Sequence, residues 1–201
     1  MDVHNLVKNT PDSFYEHLFK HFQIDPNLKT DVLTLKSQLE RTLKGQNDWL
    51  NYLSHSDFDL SVFDGTNIDL VVSNSAFQQF DDPAKTIKQL SEIVRPGALF
   101  IALIDMKTHT RWINKRDPLN IYRYADVLYN PLKFRGSQNR IRPLEYKQQL
   151  EAFGWENVEV IPRIQLEQKH MDSVLRSLQP KFQSPECQMD ILTCIICARK
   201  S

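Results

Sequence analysis

The chain has 201 residues with 25 basic and 25 acidic side chains, a length that suits one domain with a substantial core. Its formal net charge of +0 excludes a global field that would steer it toward nucleic acid or anionic lipid, so any such binding has to be local. No apolar run approaches the roughly 20 residues of a membrane span, and the start lacks the apolar core of a signal peptide, which predicts a cytoplasmic protein that does not enter a membrane.

The first fifty residues predict a pair of helices. One starts at Thr10, with Pro11 in its first turn. A second fits residues 30–44, where leucine and valine side chains form one stripe. We therefore divide the chain into an N-terminal helical segment, residues 1–49, and an α/β domain, residues 50–201.

Strands and helices are predicted to alternate from about residue 50. The run IDLVVS, residues 68–73, shows no polar alternation, as in a strand covered on both faces, and ALFIALID, residues 98–105, predicts a second buried strand. Between them, Asp82 and Pro83 start a helix of about a dozen residues. Strand, helix and strand together predict a βαβ unit with parallel strands.

Residues 106–142, which we call the excursion, are irregular. Aromatic and basic side chains interleave here, and Pro118, Pro131 and Gly136 interrupt any regular element. A connection of this length inside a compact domain is typical of a functional loop or a lid. The alternative is a solvated basic surface over a small aromatic core.

The remainder predicts a helix from Pro143, a half-exposed strand at 157–164, a helix at about 167–179 and a terminal strand at 189–200. Cys194 and Cys197 are spaced as in a C-x-x-C motif, but a strand points positions three apart to opposite faces. Reduced strand cysteines are therefore favoured over a metal or redox site. The histidines show no ligand set either, so no metal is predicted.

Several motifs resemble the C-terminal half of class I S-adenosylmethionine-dependent methyltransferases. They are DLVVSNSAFQQF, DDP and IVRPGA, followed by IDMKTH, YRY and QNRIR before a helix that ends in AFGW. The resemblance covers roughly residues 50–199. It implies an α/β fold, namely a partial Rossmann-like methyltransferase sheet with the N-terminal helical pair, and S-adenosylmethionine as the family's cofactor.

The Gly-rich turn that holds this cofactor in the family has no counterpart here. The five glycines are widely separated, and no two are close enough to let backbone N–H groups approach a ligand. We therefore expect a chain that begins after the cofactor half of the fold: a degenerate homologue, or pseudoenzyme, that serves as a binding or assembly subunit.

A missing first strand would leave the edge of strand 68–73 unpaired. An apolar edge with free backbone groups invites association. We expect a homodimer or a partner chain to cover it. The alternative is that the N-terminal helices and the segment NYLSHSDF, residues 51–58, fold over the same edge.

The resemblance places the cofactor-binding residues at the end of the first strand: Ser73, Asn74, Gln78 and Gln79. The two glutamines stand where the family carries Glu and His, and an amide takes no proton near neutral pH. General base catalysis is therefore not expected there. The alternative is that both glutamines are solvated loop amides.

The predicted catalytic residues, Asp105 and His109, end the second strand. A carboxylate beside an imidazole could hold the tautomer needed for proton abstraction from a substrate. The alternative is an aspartate that caps a turn and a surface histidine. The resemblance further implies substrate binding by residues of the excursion: Arg123, Tyr124, Asn139 and Arg140.

Two other functions remain open from the sequence. One is an active S-adenosylmethionine-dependent methyltransferase whose cofactor pocket is atypical or is completed by a partner chain. The other is an anion- or nucleotide-binding module that uses the basic and aromatic side chains of the excursion. Nucleic acid binding is left open, and the substrate is not predicted.

Overall fold

The computed structural model describes four stretches of the chain, residues 11–21, 32–44, 59–134 and 136–201. The chain divides into two compact units, Met1–Asp57 and Phe58–Ser201. The predicted helix start at Thr10 and the segment 51–58 lie outside the described residues. The domain boundary near residue 50 stays a prediction. None of the helices in the described stretches combines the length and hydropathy that would let it cross a membrane.

The first unit contains the predicted helical pair. These helices are α1 (Asp12–His21) and α2 (Val32–Leu43). An ion pair joins Lys36 of α2 to Asp12 at the start of α1. Asp12 also lies in the first turn, where a negative charge is favourable for the helix dipole.

The second unit is a mixed α/β unit with one four-stranded sheet. Its strands are β1 (Ile68–Asn74), β2 (Val94–Asp105), β3 (Trp155–Gln165) and β4 (Ile191–Lys200). Its α-helices are α3 (Pro83–Ile93), α4 (Arg111–Asn114), α5 (Asp126–Tyr129), α6 (Pro143–Ala152) and α7 (Gln168–Val174). Short 3-10 helices cover Leu60–Phe63, Phe77–Gln79, Asn120–Arg123, Asn130–Leu132, Leu175–Ser177, Pro180–Phe182 and Pro185–Cys187.

The sheet has the order β1-β2-β4-β3. β1 and β2 are parallel, as predicted, and β4 is antiparallel to both of its neighbours. Between the parallel strands, α3 begins as predicted, because the Asp82 carboxylate accepts a hydrogen bond from the Lys85 N–H at 3.0 Å and Pro83 occupies the first turn. The parallel strands therefore end at the same edge of the sheet, at Asn74 and Asp105, which we call the strand-end edge.

The main core lies between one face of the sheet and the helices α3 and α6. Phe100 of β2 is central to it, with ring contacts to Phe77 at 5.4 Å and to Trp155 at 5.5 Å between centroids. Ile87 of α3 and Leu150 of α6 are almost fully buried in the same cluster. Each such side chain contributes about 1.5–3 kcal/mol through removal of apolar area from water.

The prediction that the first two strands are covered on both faces is wrong. Leu70 and Val72 of β1 are 50% and 67% exposed, and Leu99 and Ile101 of β2 are 40% and 37% exposed. The register pairs Leu70 with Leu99 and Val72 with Ile101, so all four share one face, and Ile161 of β3 extends it. We call these five residues the open face. A continuous apolar run predicts two apolar faces, but it does not say whether this chain covers both.

The strand cysteines lie on opposite faces of β4, as predicted. Cys194 is buried and Cys197 is half-buried, and all three thiols of the chain are free. Burial raises the pKa of Cys194 to about 11, although Arg142 nearby opposes the shift. The Cys194 thiol is therefore protonated at neutral pH. In the described stretches, no three His, Cys, Asp or Glu side chains are grouped so that they could hold a metal ion.

A second, smaller core lies under the excursion. Tyr122 packs edge-on against Phe182 with ring centroids 5.0 Å apart, beside Leu119 and Met171. The helix expected at about 167–179 is shorter, because α7 ends at Val174 and a 3-10 turn then brings Leu178 into this core. The excursion is thus a folded layer over aromatic and aliphatic side chains.

Candidate functional site

The loop after β1 turns sharply at the strand-end edge. Ser75 adopts a left-handed conformation with φ of 53°, and its N–H donates to the Leu103 carbonyl of β2 at 2.8 Å. Phe77 then enters the core. The backbone after β1 is therefore held against β2 rather than extended into solvent.

Gln138 of the excursion fixes the loop after β2. Its side chain is buried, and its carbonyl oxygen accepts a hydrogen bond from the His109 N–H at 3.1 Å. Its amide donates to the carbonyls of Lys107 and Asp105. Gln138 is the first residue of the QNRIR motif, but no role was predicted for it from the sequence. Its place next to Asn139 in that motif is the signal that could have identified it.

Asn139 fixes the loop after β1. Its side-chain amide donates to the Phe77 carbonyl at 2.8 Å and to the Phe80 carbonyl at 3.1 Å, and its backbone N–H donates to the Gln78 carbonyl at 2.8 Å. Two consecutive residues of the excursion therefore hold both loops of the strand-end edge. The substrate-binding role of Asn139 stays a prediction, since its amide donors are engaged within the chain.

We expect Asn139→Ala to lower the free energy of unfolding by about 2 kcal/mol, because it removes the side-chain amide that donates to the Phe77 and Phe80 carbonyls. Urea unfolding followed by circular dichroism measures the change. Asn130→Ala serves as the matched control, because Asn130 is exposed. Equal stabilities of the two variants would show that Asn139 does not hold the loop.

The predicted cofactor-binding residues have unlike environments. Gln78 is buried, so the alternative that both glutamines are solvated loop amides is wrong for Gln78. Gln79 and Asn74 are exposed, and Ser73 is half-buried. The Gln78 amide donates to the Ser75 carbonyl at 2.8 Å, but its side-chain oxygen has no hydrogen-bond partner in the part of the chain that the structure describes. A buried acceptor without a donor is costly. The cofactor-binding role of the four residues stays a prediction.

The carboxylate of Asp105, one of the two predicted catalytic residues, contacts Lys107. The Asp105 carboxylate accepts a hydrogen bond from the Lys107 N–H at 3.0 Å, and it lies 3.4 Å from the Lys107 ammonium. The His109 side chain is exposed. Among the described residues, no hydrogen bond joins Asp105 to His109. The carboxylate therefore does not orient the imidazole in this structure, and the catalytic role stays a prediction.

Arg123 makes a two-pronged contact with Asp117, at 2.6 and 3.1 Å. Although partial burial opposes it, this contact holds the pKa of Asp117 below its usual range. Arg123 also donates to the Ser177 hydroxyl. Its predicted role toward substrate stays a prediction, because its donors are used within the chain.

Arg140 belongs to the excursion, and its side chain is buried. Its guanidinium donates to the carbonyls of Ile121 and Tyr124, forms an ion pair with Asp126, and lies 4.0 Å from the centre of the Tyr129 ring. Arg140 therefore stabilises the excursion in this structure. Its predicted contact with an anionic substrate stays a prediction.

A cavity of about 340 Å³ lies within the excursion, and residues 108–110 of the loop after β2 form one of its walls. Of the predicted site residues, it brings together His109 and Tyr124, whereas Asp105, Arg123, Asn139 and Arg140 do not line it. Six of its described lining residues are apolar or aromatic: Ile121, Tyr124, Leu128, Tyr129, Leu132 and Phe134. His109, Lys133 and Gln138 are among the polar residues that also line it. An apolar wall with a few convergent polar groups is the usual composition of a small-molecule site.

The described residues contain no pair of neighbouring glycines. Each of the described glycines, Gly65, Gly97, Gly136 and Gly154, lies alone in the sequence with a positive φ. No described turn therefore offers neighbouring residues without Cβ atoms, where backbone N–H groups could approach a charged ligand. We derive no methyl-transfer step from these residues.

The family model described as "Methyltransferase domain" matches residues 16–102. The match begins within α1, so it includes both helices of the predicted N-terminal segment, and it ends within β2. A search of curated proteins gives no match.

Three solved structures have a similar fold. The CurJ carbon methyltransferase is 14% identical with a TM-score of 0.46, over 83% of this chain and 39% of that one. A chain of the "Complex between the Haloferax volcanii Trm112 methyltransferase activator and the putative methyltransferase" is 16% identical with a TM-score of 0.45, over 82% of this chain and 68% of that one. The Haemonchus contortus phosphoethanolamine N-methyltransferase 2, in complex with S-adenosyl-L-methionine, is 12% identical with a TM-score of 0.42, over 85% and 41%.

This chain spans well under half the length of the CurJ and Haemonchus contortus proteins. Likenesses at these identities and TM-scores carry no argument about activity, substrate or partner. The family match is the finding that bears on identity, and it agrees with the motifs read from the sequence. Residues 16–102 are therefore similar to the methyltransferase domain family, in agreement with the resemblance to class I S-adenosylmethionine-dependent methyltransferases read from the sequence.

Proposed function

We propose that this protein is a degenerate methyltransferase homologue, a pseudoenzyme that acts as a binding or assembly subunit without a cofactor site of its own. One observation carries the proposal: β1 is an edge strand of the described sheet, and the apolar side chains beside that edge are exposed. The proposal includes a cytoplasmic location, which was predicted from the sequence.

The edge of β1 is suited to association. Among the described strands, β1 pairs with β2 alone, so its other side presents backbone N–H and C=O groups without a strand partner. The open face adds five apolar side chains that are each more than a third exposed. Burial of such side chains in an interface would contribute about 25 cal/mol for each Å² removed from water.

A homodimer fits this surface. Two copies present the same edge and the same apolar face, so a two-fold contact would cover both at once. Sedimentation equilibrium between about 1 and 100 μM tests the proposal, with a concentration-dependent dimer as the expected result. A protein that stays monomeric over this whole range would contradict the homodimer. The proposal would then require a different partner chain to cover the β1 edge.

A second candidate is an active methyltransferase whose cofactor pocket is completed by a partner chain. The side-chain oxygen of Gln78 favours it, because this acceptor is buried at the strand-end edge without a donor and a ligand could supply one. In that case Ser73, Asn74 and Gln79 would line the cofactor side, and Asp105 and His109 would face the substrate. Mixing the chain with such a partner would then restore methyl transfer, which neither chain performs alone.

A further inference from the structure

The cavity within the excursion has an apolar wall open to solvent. Leu128, Leu132 and Phe134 line it and are 57%, 81% and 77% exposed. Tyr124, which is 45% exposed, and Ile121 continue this wall. Side chains of this size are normally buried in a folded unit, and a contiguous exposed group of them marks a binding surface.

The same cavity has a positive charge at one end, from Lys133. Among the described residues that line it there is no Asp or Glu, and His109 adds an imidazole that can donate a hydrogen bond. The Lys133 ammonium pairs with Asp81 at 3.3 Å, and the side chains of Lys133 and Asp81 are 22% and 69% exposed. Because the Asp81 carboxylate is largely in water, solvent weakens its attraction for the ammonium. A carboxylate bound in the cavity would compete with Asp81 for Lys133.

The chain that leaves the cavity adds further positive charge. Thr110 lines the cavity, and α4 begins at the next residue with Arg111. Arg111, Lys115 and Arg116 are exposed, and none of them takes part in an ion pair within the described stretches. Their field raises the local concentration of anions at the cavity.

We propose that this cavity binds a small organic acid: an apolar aromatic or alkyl body against Leu128 and Phe134, with a carboxylate that accepts hydrogen bonds from Lys133 and the His109 imidazole. The volume accommodates an acid of about twelve non-hydrogen atoms, at the lower end of the range for small-molecule sites. This site is independent of the β1 edge, so it stands or falls separately from the proposed assembly function.

A matched set of three probes tests the charge preference: 4-phenylbutyrate, 4-phenylbutan-1-ol and 4-phenylbutylamine, which share one apolar body. By isothermal titration calorimetry at pH 7.5, the acid is expected to bind with a Kd on the order of 10⁻⁴ M. The alcohol is expected to bind at least tenfold more weakly, and the amine more weakly still. Equal affinities for acid and alcohol, or no binding of the acid at millimolar concentration, would overturn the proposal.

Two variants test the position. Lys133→Gln should weaken the acid about tenfold and leave the alcohol unchanged, whereas Leu128→Ala should weaken both about threefold. Lys88→Gln and Val62→Ala are the controls, since both residues are exposed and lie outside the cavity. All four positions are on the surface or rim, so the variants should fold, which circular dichroism verifies. Acid binding that Lys133→Gln does not change would also refute the assignment.

Discussion

Val72→Lys is expected to dissociate the proposed homodimer into monomers. Val72 lies on the edge strand and is the most exposed member of the open face, at 67%. A lysine there would place a charge in an interface that the proposal makes apolar, the device by which natural edge strands avoid pairing. We expect the dimer Kd to rise at least 100-fold in sedimentation equilibrium.

The same substitution should barely change the stability of the monomer. Because the Val72 side chain is mostly in water already, the free energy of unfolding should shift by less than about 1 kcal/mol. Val62→Lys is the matched control, since Val62 is 46% exposed but lies in the 3-10 helix Leu60–Phe63, away from the sheet. A dimer that survives Val72→Lys as well as it survives Val62→Lys would place the interface elsewhere.

Arg142→Met should lower the free energy of unfolding by about 3 kcal/mol. Arg142 is completely buried at the start of α6, and its guanidinium donates to the carbonyls of Cys187, Gln188 and Ile191 at 3.1, 2.6 and 2.7 Å. It also donates to the Tyr122 hydroxyl at 3.1 Å. Methionine fills much of the volume but removes the guanidinium donor from all four acceptors, and each charge-assisted hydrogen bond that is lost counts for about 1.5–3 kcal/mol before relaxation.

Chemical unfolding measures this loss, and two further variants interpret it. Arg142→Lys keeps the charge but not the planar set of donors, so it should recover less than half of the stability. Arg176→Met, at an exposed arginine, should change stability by less than about 0.5 kcal/mol. A loss from Arg142→Met no larger than that of Arg176→Met would show that Arg142 does not hold the 187–191 turn to the excursion.

The sequence predicted most elements of the second unit, for identifiable reasons. Asp82 and Pro83 mark the start of α3 because a side-chain acceptor and a missing N–H both suit the first turn of a helix. The parallel pairing of β1 and β2 followed from one helix between two apolar runs. These signals are local in the chain, so a single sequence carries them.

The open face could not be predicted in the same way. IDLVVS is apolar at nearly every position, which is equally typical of a strand covered by its own chain and of a strand covered by another one. Only the arrangement of α3 and α6 on one side of the sheet distinguishes the two. The exposure of Leu70 and Val72 is therefore a property of the whole fold rather than of the run itself.

The contact between the strand ends and the excursion was predicted, but the partners of the individual side chains were not. The strand ends and the excursion do meet, through Gln138 and Asn139, yet Arg140 and Arg123 bind groups of their own chain. A motif indicates that an arginine or an asparagine is required, but it does not say whether the partner is a ligand or a carbonyl 60 residues away in sequence. The cavity, in turn, depends on side chains from three separated segments.

The central claim is that this chain has no cofactor site of its own. Isothermal titration calorimetry of the purified chain with S-adenosylmethionine, and with S-adenosylhomocysteine, tests it most directly. We predict no binding heat at ligand concentrations up to about 1 mM, which corresponds to less than about 4 kcal/mol of binding free energy. Saturable binding of either compound with a micromolar Kd would contradict the account and make the active methyltransferase the better proposal.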